Sequence, residues 1–222
     1  MHKRIEQLLS LPKSLYVCLR LFPFRQALKL PMLCRWNVRL LSLRGQVEVV
    51  GGVSTGMFQV GFGSVGVYDK TYERSILEVN GRIVLEGKAK FGHGSRISVG
   101  PDAELVIGPD FSNTAMCTII CWHRIHFGRN VLSSWQVLVM DTDFHPVVET
   151  ATGRVGTYTK AVNIDDDVWL GTRSVVLKGS HLAQGCIVGA GAVVSGRFDE
   201  PCCVVAGNPA AVRKHGVMRL YE

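Results

Sequence analysis

Acidic residues are nearly missing from the start of this 222-residue chain: among the first 44 positions only Glu6 opposes nine lysines and arginines, a local balance of +8 against +7 for the whole sequence. The rest of the chain is therefore close to neutral. A disulfide framework is missing too, since Cys18, Cys34, Cys117, Cys121, Cys186, Cys202 and Cys203 keep no framework spacing, and no cleavable-looking signal stretch opens the sequence. These absences predict a reducing, cytoplasmic setting. Residues 49–68 carry no charge, but six glycines and several polar side chains among them read as turns and strands rather than a membrane span. The basic residues accompany no reading helix, zinc module or aromatic strand motif, so nucleic acid is not an expected partner.

What the sequence does have is a beat of six. Ile164, Leu170, Val176, Leu182, Val188 and Val194 fall at one interval, and Ser174, Ser180, Cys186 and Ala192 form a second column of small residues, with Val168 its bulkier member. Strands repeat every two residues and helices every 3.6, so six belongs to neither. It belongs to a solenoid in which three sides of about six residues make one triangular coil and residues eighteen apart stack. The aliphatic column fills the axis, and the small column fits where each side bends into the next. Gly171 and Gly189, directly after aliphatic positions, read as tight turns. The predicted class is all-β: a left-handed parallel β-helix of hexapeptide repeats with a short N-terminal cap and a short C-terminal helix.

Upstream the beat continues through Leu85, Phe91 and Ile97, with Ala89 and Ser95 in the small column, and then slips. Ile107-Gly108 and Phe127-Gly128 restore it, and Ser133 and Val139 keep the phase. Between Val139 and Ile164 the spacing is 25 instead of 24, which places a loop at about 144–160. A chain of this length can bury a full core. The expected organisation is a basic cap or peripheral attachment segment over 1–45, a β-helix over 46–205 and a turn with a short helix over 206–222. For the basic segment, rich in leucine and aromatic residues, two readings stand: a helical cap over the open end of the solenoid, which is preferred, and an anchor on an anionic membrane surface at the inner face.

Four stretches carry a family resemblance: Asp141-Thr142-Asp143-Phe144-His145-Pro146, Val168-Trp169-Leu170-Gly171, Val188-Gly189-Ala190-Gly191-Ala192-Val193-Val194 and Val205-Ala206-Gly207-Asn208-Pro209-Ala210-Ala211-Val212-Arg213. In this order they resemble bacterial hexapeptide-repeat acyltransferases, in particular the O-acetyltransferases of polysaccharide and capsule biosynthesis. A weaker likeness reaches back through residues 91–95 to 61–63, and the first 45 residues lie outside it. The resemblance implies a homotrimer, acetyl-CoA as co-substrate with no metal, a sugar, glycan or lipid-linked saccharide as acceptor, and His145 as base. It also implies a donor site drawn from Trp169, Ser174, Lys178, Gly189, Ala190, Asn208, Pro209, Arg213 and Lys214, with the last two cations meeting CoA phosphates. Asp165, Leu177 and Ala183 stand where such coils usually carry glycine.

Chemistry asks for the same histidine. Acyl transfer to a hydroxyl needs a neutral base near working pH, and imidazole titrates near pH ~6.5. Asp141 or Asp143 is close enough in sequence to hold the imidazole tautomer, and the sequence does not choose between them. Trp169 reads equally as a groove wall or as packing for the C-terminal tail. Cys117, Cys121, His123 and His126 raise a zinc alternative of the γ-class carbonic anhydrase kind, although strand alternation sends His126 away from the other three. A noncatalytic solenoid for assembly or binding is the remaining alternative. Acceptor selectivity is expected to rest on the 144–160 loop, the 61–95 region and a neighbouring subunit.

Overall fold

In the computed structural model, which describes residues 3–63, 65–69 and 71–220, strands of two to five residues separated by bends wind into a triangular prism. Its three faces are sheets of nine, seven and seven strands among the described residues, with each strand parallel to the one a coil away except at the C-terminal end. The solenoid is a left-handed β-helix. Leu170 pairs with Val188 and Val176 with Val194, eighteen residues on. Both columns behave as the period demands: the six aliphatic residues from Ile164 to Val194 are buried on the axis, and Ser174, Ser180, Cys186 and Ala192 are buried at the bends. All seven cysteines are free thiols.

The phase slip has a geometric cause. On the first face, Ala89–His93 and Phe111–Ala115 are five-residue strands where the later coils use two. Phe91 therefore pairs with Asn113, 22 residues on, and Asn113 with Ser133, 20 on. The wider coils are filled by phenylalanines. Phe58, Phe91, Phe111 and Phe127 form a ladder of ring contacts with centroids 5.7, 4.8 and 4.9 Å apart.

Gly171 and Gly189 serve close approach rather than turn conformation. Neither has positive φ. A Cβ on Gly171 would lie 2.5 Å from the Val188 carbonyl oxygen, and one on Gly189 would lie 2.8 Å from the Ala206 Cβ, so the next coil excludes any side chain there. The left-handed conformation falls instead on Gly179, Gly185 and Gly191, and on Asp167 and Arg173.

The solenoid starts earlier than residue 46. Helix α1 (Lys3–Leu21) and the short α2 (Phe24–Ala27) precede β1 (Met32–Cys34), β2 (Arg39–Leu43) and β3 (Gln46–Val49), which complete the first coil. At the other end the expected C-terminal helix is absent from the described residues: Ala210–Lys214 is a strand, antiparallel to Val204–Gly207. Val204–Gly207 is the last parallel strand of its face, and pairing satisfies an edge that a helix would leave open. Gly207, at φ +106°, begins the reversal, and Ala210 and Val212 pack against the core.

Because the phenylalanine ladder fills coils that are wider than the rest, either of its two inner members should be costly to truncate. Phe91→Ala is expected to lose about 3–5 kcal/mol, read as a lower urea midpoint at unchanged m-value.

Candidate active site

The chain leaves the prism between Val139 and Ile164 as an antiparallel hairpin over residues 141–160, three residues longer at its start than the spacing indicated. Thr142 faces Thr159 and Val148 faces Val155 across it. Backbone bonds from Lys160 N to Asp141 O (3.0 Å), Asp143 N to Tyr158 O (2.8 Å) and Gly156 N to Val147 O (2.8 Å) knit its two strands. His145 sits on its outgoing strand, exposed, and no hydrogen bond joins its ring to another described residue.

The two aspartates have different duties. Asp141 is fully buried, and its carboxylate oxygens accept the backbone N–H groups of Trp122 (2.7 Å) and His123 (2.8 Å) in the coil below. Both oxygens hold a corner in this way, and no bond joins Asp141 to His145 among the described residues. Asp143 is part-exposed and lies 2.5 Å from Lys178 Nζ. Lys178 also donates to Thr157 O (2.8 Å), so this lysine, expected at the donor site, clamps both strands of the hairpin to the coil above. The Phe144 ring meets Trp122 edge-on at 5.3 Å, a third anchor.

One corner of the prism, between the second and third faces, carries all of these groups. Towards the N-terminus the same corner holds a groove of about 470 Å³ lined by Arg44, Asn80, Arg82, Asp102 and Glu104 with intervening glycines. Part-exposed Trp122 stands between groove and hairpin, lying over Gly100. The 61–75 excursion leaves at a different corner, between the first and second faces, where Tyr68 covers the buried His93 at 6.0 Å.

The expected donor residues divide. Ala190, Asn208 and Pro209 are exposed at the corner between the first and second faces; Arg213 and Lys214 are exposed on the returning strand, where Arg213 Nε donates to Ala206 O (3.2 Å) and Lys214 lies opposite Val204, at the far end of that pair. Trp169 is half-buried on the first face with its Nε1 donating to Ser134 Oγ of a neighbouring coil (3.0 Å). Ser174 is fully buried, so its side chain lines no surface, and Gly189 is accounted for by coil stacking.

The zinc alternative loses its donor set. Cys117 and Cys121 are buried within the coils, and burial raises both thiols above their usual range. His123 is exposed at the corner, and among the described residues no three His, Cys, Asp or Glu side chains are grouped for a metal ion. A polar cluster that went unnoticed in the sequence is His181, with Nδ1 2.5 Å from Asp199 and Nε2 3.1 Å from Asp165. Hydrogen bonds from His181 and then Arg197 hold the Asp199 carboxyl below the usual carboxylate range. The stacking of successive coils on the third face was the available signal, with Asp165 at one of the positions expected to carry glycine.

No family model matches the chain. It is 35% identical over 97 residues to the galactoside O-acetyltransferase of Lactococcus lactis subsp. lactis (strain IL1403), covering 43% of this chain and 42% of that enzyme. It is 28% identical over 128 residues to the galactoside O-acetyltransferase of Escherichia coli (strain K12), covering 58% of each. The chain thus spans about half the length of the curated relatives it matches. Among solved structures it resembles the polySia specific acetyltransferase NeuO, with a TM-score of 0.57, 17% identity and coverage of 85% of this chain and 75% of the other. At 17% identity this last likeness is one of fold, the left-handed β-helix.

The division of labour between the two aspartates is measurable. Asp141→Asn keeps one acceptor where two are used and is expected to cost about 1–3 kcal/mol of stability. Asp143→Asn, at a part-exposed ion pair, should change thermal stability by less than about 1 kcal/mol. Parallel thermal melts of the two variants test the ranking.

Proposed function

We propose that the protein transfers an acetyl group from acetyl-CoA to a hydroxyl of a sugar, glycan or lipid-linked saccharide, with His145 as general base. The observation that carries this reading is the hairpin: a stiff excursion, clamped at Asp141, Phe144 and Lys178, that holds one exposed imidazole out from a rigid prism. In the reaction His145 takes the acceptor hydroxyl proton as that oxygen attacks the thioester carbonyl. The tetrahedral intermediate then expels the CoA thiolate, which takes up the proton from His145. Asp143 acts at one remove, by fixing the hairpin through Lys178. The matched acetyltransferases support the reaction class, and the polar groove that continues along the same corner supports an acceptor longer than one sugar, with the exposed face of Trp122 as a stacking surface. That is the chemistry of a polysaccharide acceptor.

The site is shared between subunits in this reading. His145 stands at the corner between the second and third faces, whereas Ala190, Asn208 and Pro209 stand at the corner between the first and second, so one chain does not bring base and donor residues together. Side-by-side packing of three prisms about a threefold axis sets one chain's hairpin against the next chain's donor corner and closes with every contact patch matched.

His145→Ala is expected to lower kcat by about 10²–10⁴-fold while leaving the donor KM nearly unchanged. Thiol release from acetyl-CoA in the presence of a saccharide acceptor is the assay, and wild-type turnover in the variant would rule out the role. Light scattering is expected to report three times the 24.4 kDa chain mass, and a fully active monomer would overturn the shared site.

A further inference from the structure

Helix α1 is built inside out. Its solenoid-facing side is Glu6, Ser10, Ser14, Val17, Cys18 and Leu21, all buried, and the polar members are there because β1 is an edge strand. Ser14 Oγ accepts the Cys34 N–H (3.0 Å) while donating to Ser10 O within the helix (2.7 Å), Ser10 Oγ accepts the Trp36 N–H (3.0 Å), and Cys18 Sγ reaches Met32 O (3.3 Å). Glu6 is paired with the buried Arg35 at 2.7 Å. A hydroxyl-bearing face thus replaces the strand that β1 lacks.

The opposite face carries the leucines. Leu8 is 64% exposed, Leu15 40% and Leu19 46%, and the stripe continues onto α2 with Phe24 at 68% and beyond it with Leu28 at 60%. A soluble helix normally buries such a stripe and exposes its serines. Here the stripe points along the prism axis, away from the coils, so prisms packed side by side leave it uncovered. Its surroundings are cationic: Arg20, Arg25, Lys29, Arg39 and Arg44 are all exposed, with Arg25 and Lys29 beside Phe24 and Leu28. The single acid before Glu48 is the buried Glu6, and Glu48 is itself paired with Arg82 at 2.6 Å. No helix among the described residues is long and apolar enough to cross a membrane. An apolar stripe flanked by cations, on a helix that does not cross, fits the plane of an anionic bilayer surface.

We propose that the outer face of α1 and α2 docks the protein, end-on, to an anionic lipid surface. The test needs no acetyl-transfer substrate and so stands or falls apart from the proposed reaction. Full-length protein is sedimented with phosphatidylcholine vesicles with and without phosphatidylglycerol. Wild-type protein is expected to bind the phosphatidylglycerol vesicles and to be released as ionic strength rises from about 0.1 M to about 1 M, where the Debye length falls from about 10 Å to about 3 Å. The triple variant Leu8→Gln, Leu15→Gln, Leu19→Gln is expected to bind at least about tenfold more weakly, with unchanged melting temperature. The single variants Leu8→Gln and Leu19→Gln, each about two- to fivefold weaker, give the same reading if the triple variant melts early. Equal vesicle binding by wild type and variants overturns the proposal. So does a wild type that ignores the vesicles while its particle mass falls on Leu→Gln substitution, since a second copy of the chain would then be what covers the face.

Discussion

Every backbone group in a parallel β-helix is paired by the coil above or below, so the fold is complete everywhere except at its two ends. The rest of the molecule follows from how those ends are closed. At the C-terminal end Ala210–Lys214 folds back and pairs with Val204–Gly207, supplying the missing strand. At the N-terminal end serine and cysteine side chains of α1 do the same work for β1. The second solution has a price, because a helix whose inward side must be polar is left with its apolar residues outside.

The interior coils leave the corners free for other uses, and the molecule concentrates them on one. Along the corner between the second and third faces run a polar groove, an exposed tryptophan and the hairpin that carries His145. The hairpin is stiff because both its roots are buried in the solenoid's own hydrogen bonding: Asp141 caps the coil below and Lys178 reaches from the coil above. A side chain on such a mount keeps its position without being packed, which suits a group that must meet a substrate in the open.

The parts of this structure legible in the sequence are those where each coil repeats the last. From Ile164 to Val194 two-residue strands leave the period intact, and core and bends were readable position by position. Over 103–125 the signal blurred because five-residue strands on the first face lengthen the coils. The duties of Asp141 and Asp143 were not legible, since the Trp122 and His123 amides that bind Asp141 lie a full coil away in sequence. Gly207-Asn208-Pro209-Ala210 read as a helix start on local grounds, and the open edge of Val204–Gly207 overrode it. In α1 the apolar content was plain, but its direction depended on what β1 required. His145, by contrast, was singled out at the start of the excursion by its place in the family-like Asp141–Pro146 segment and by its chemistry as a base, and its role stands as the proposal made above.

A stack of coils is also a scale. Strands of neighbouring coils lie about 4.8 Å apart, and on the second face four steps separate Arg39–Leu43 from Leu138–Met140, the strand from which the hairpin springs. That puts the root of the hairpin about 19 Å along the axis from the first coil, with α1 adding roughly 10 Å of its own thickness. Whatever α1 rests upon, the imidazole is offered at a set height above it. That height is adjustable in whole coils, by insertion or deletion of one hexapeptide triplet, without disturbing the hairpin or the contacts at the end. On the function and docking proposed above, selection of which hydroxyl along an anchored chain is reached would therefore reside in the coil count as much as in any side chain.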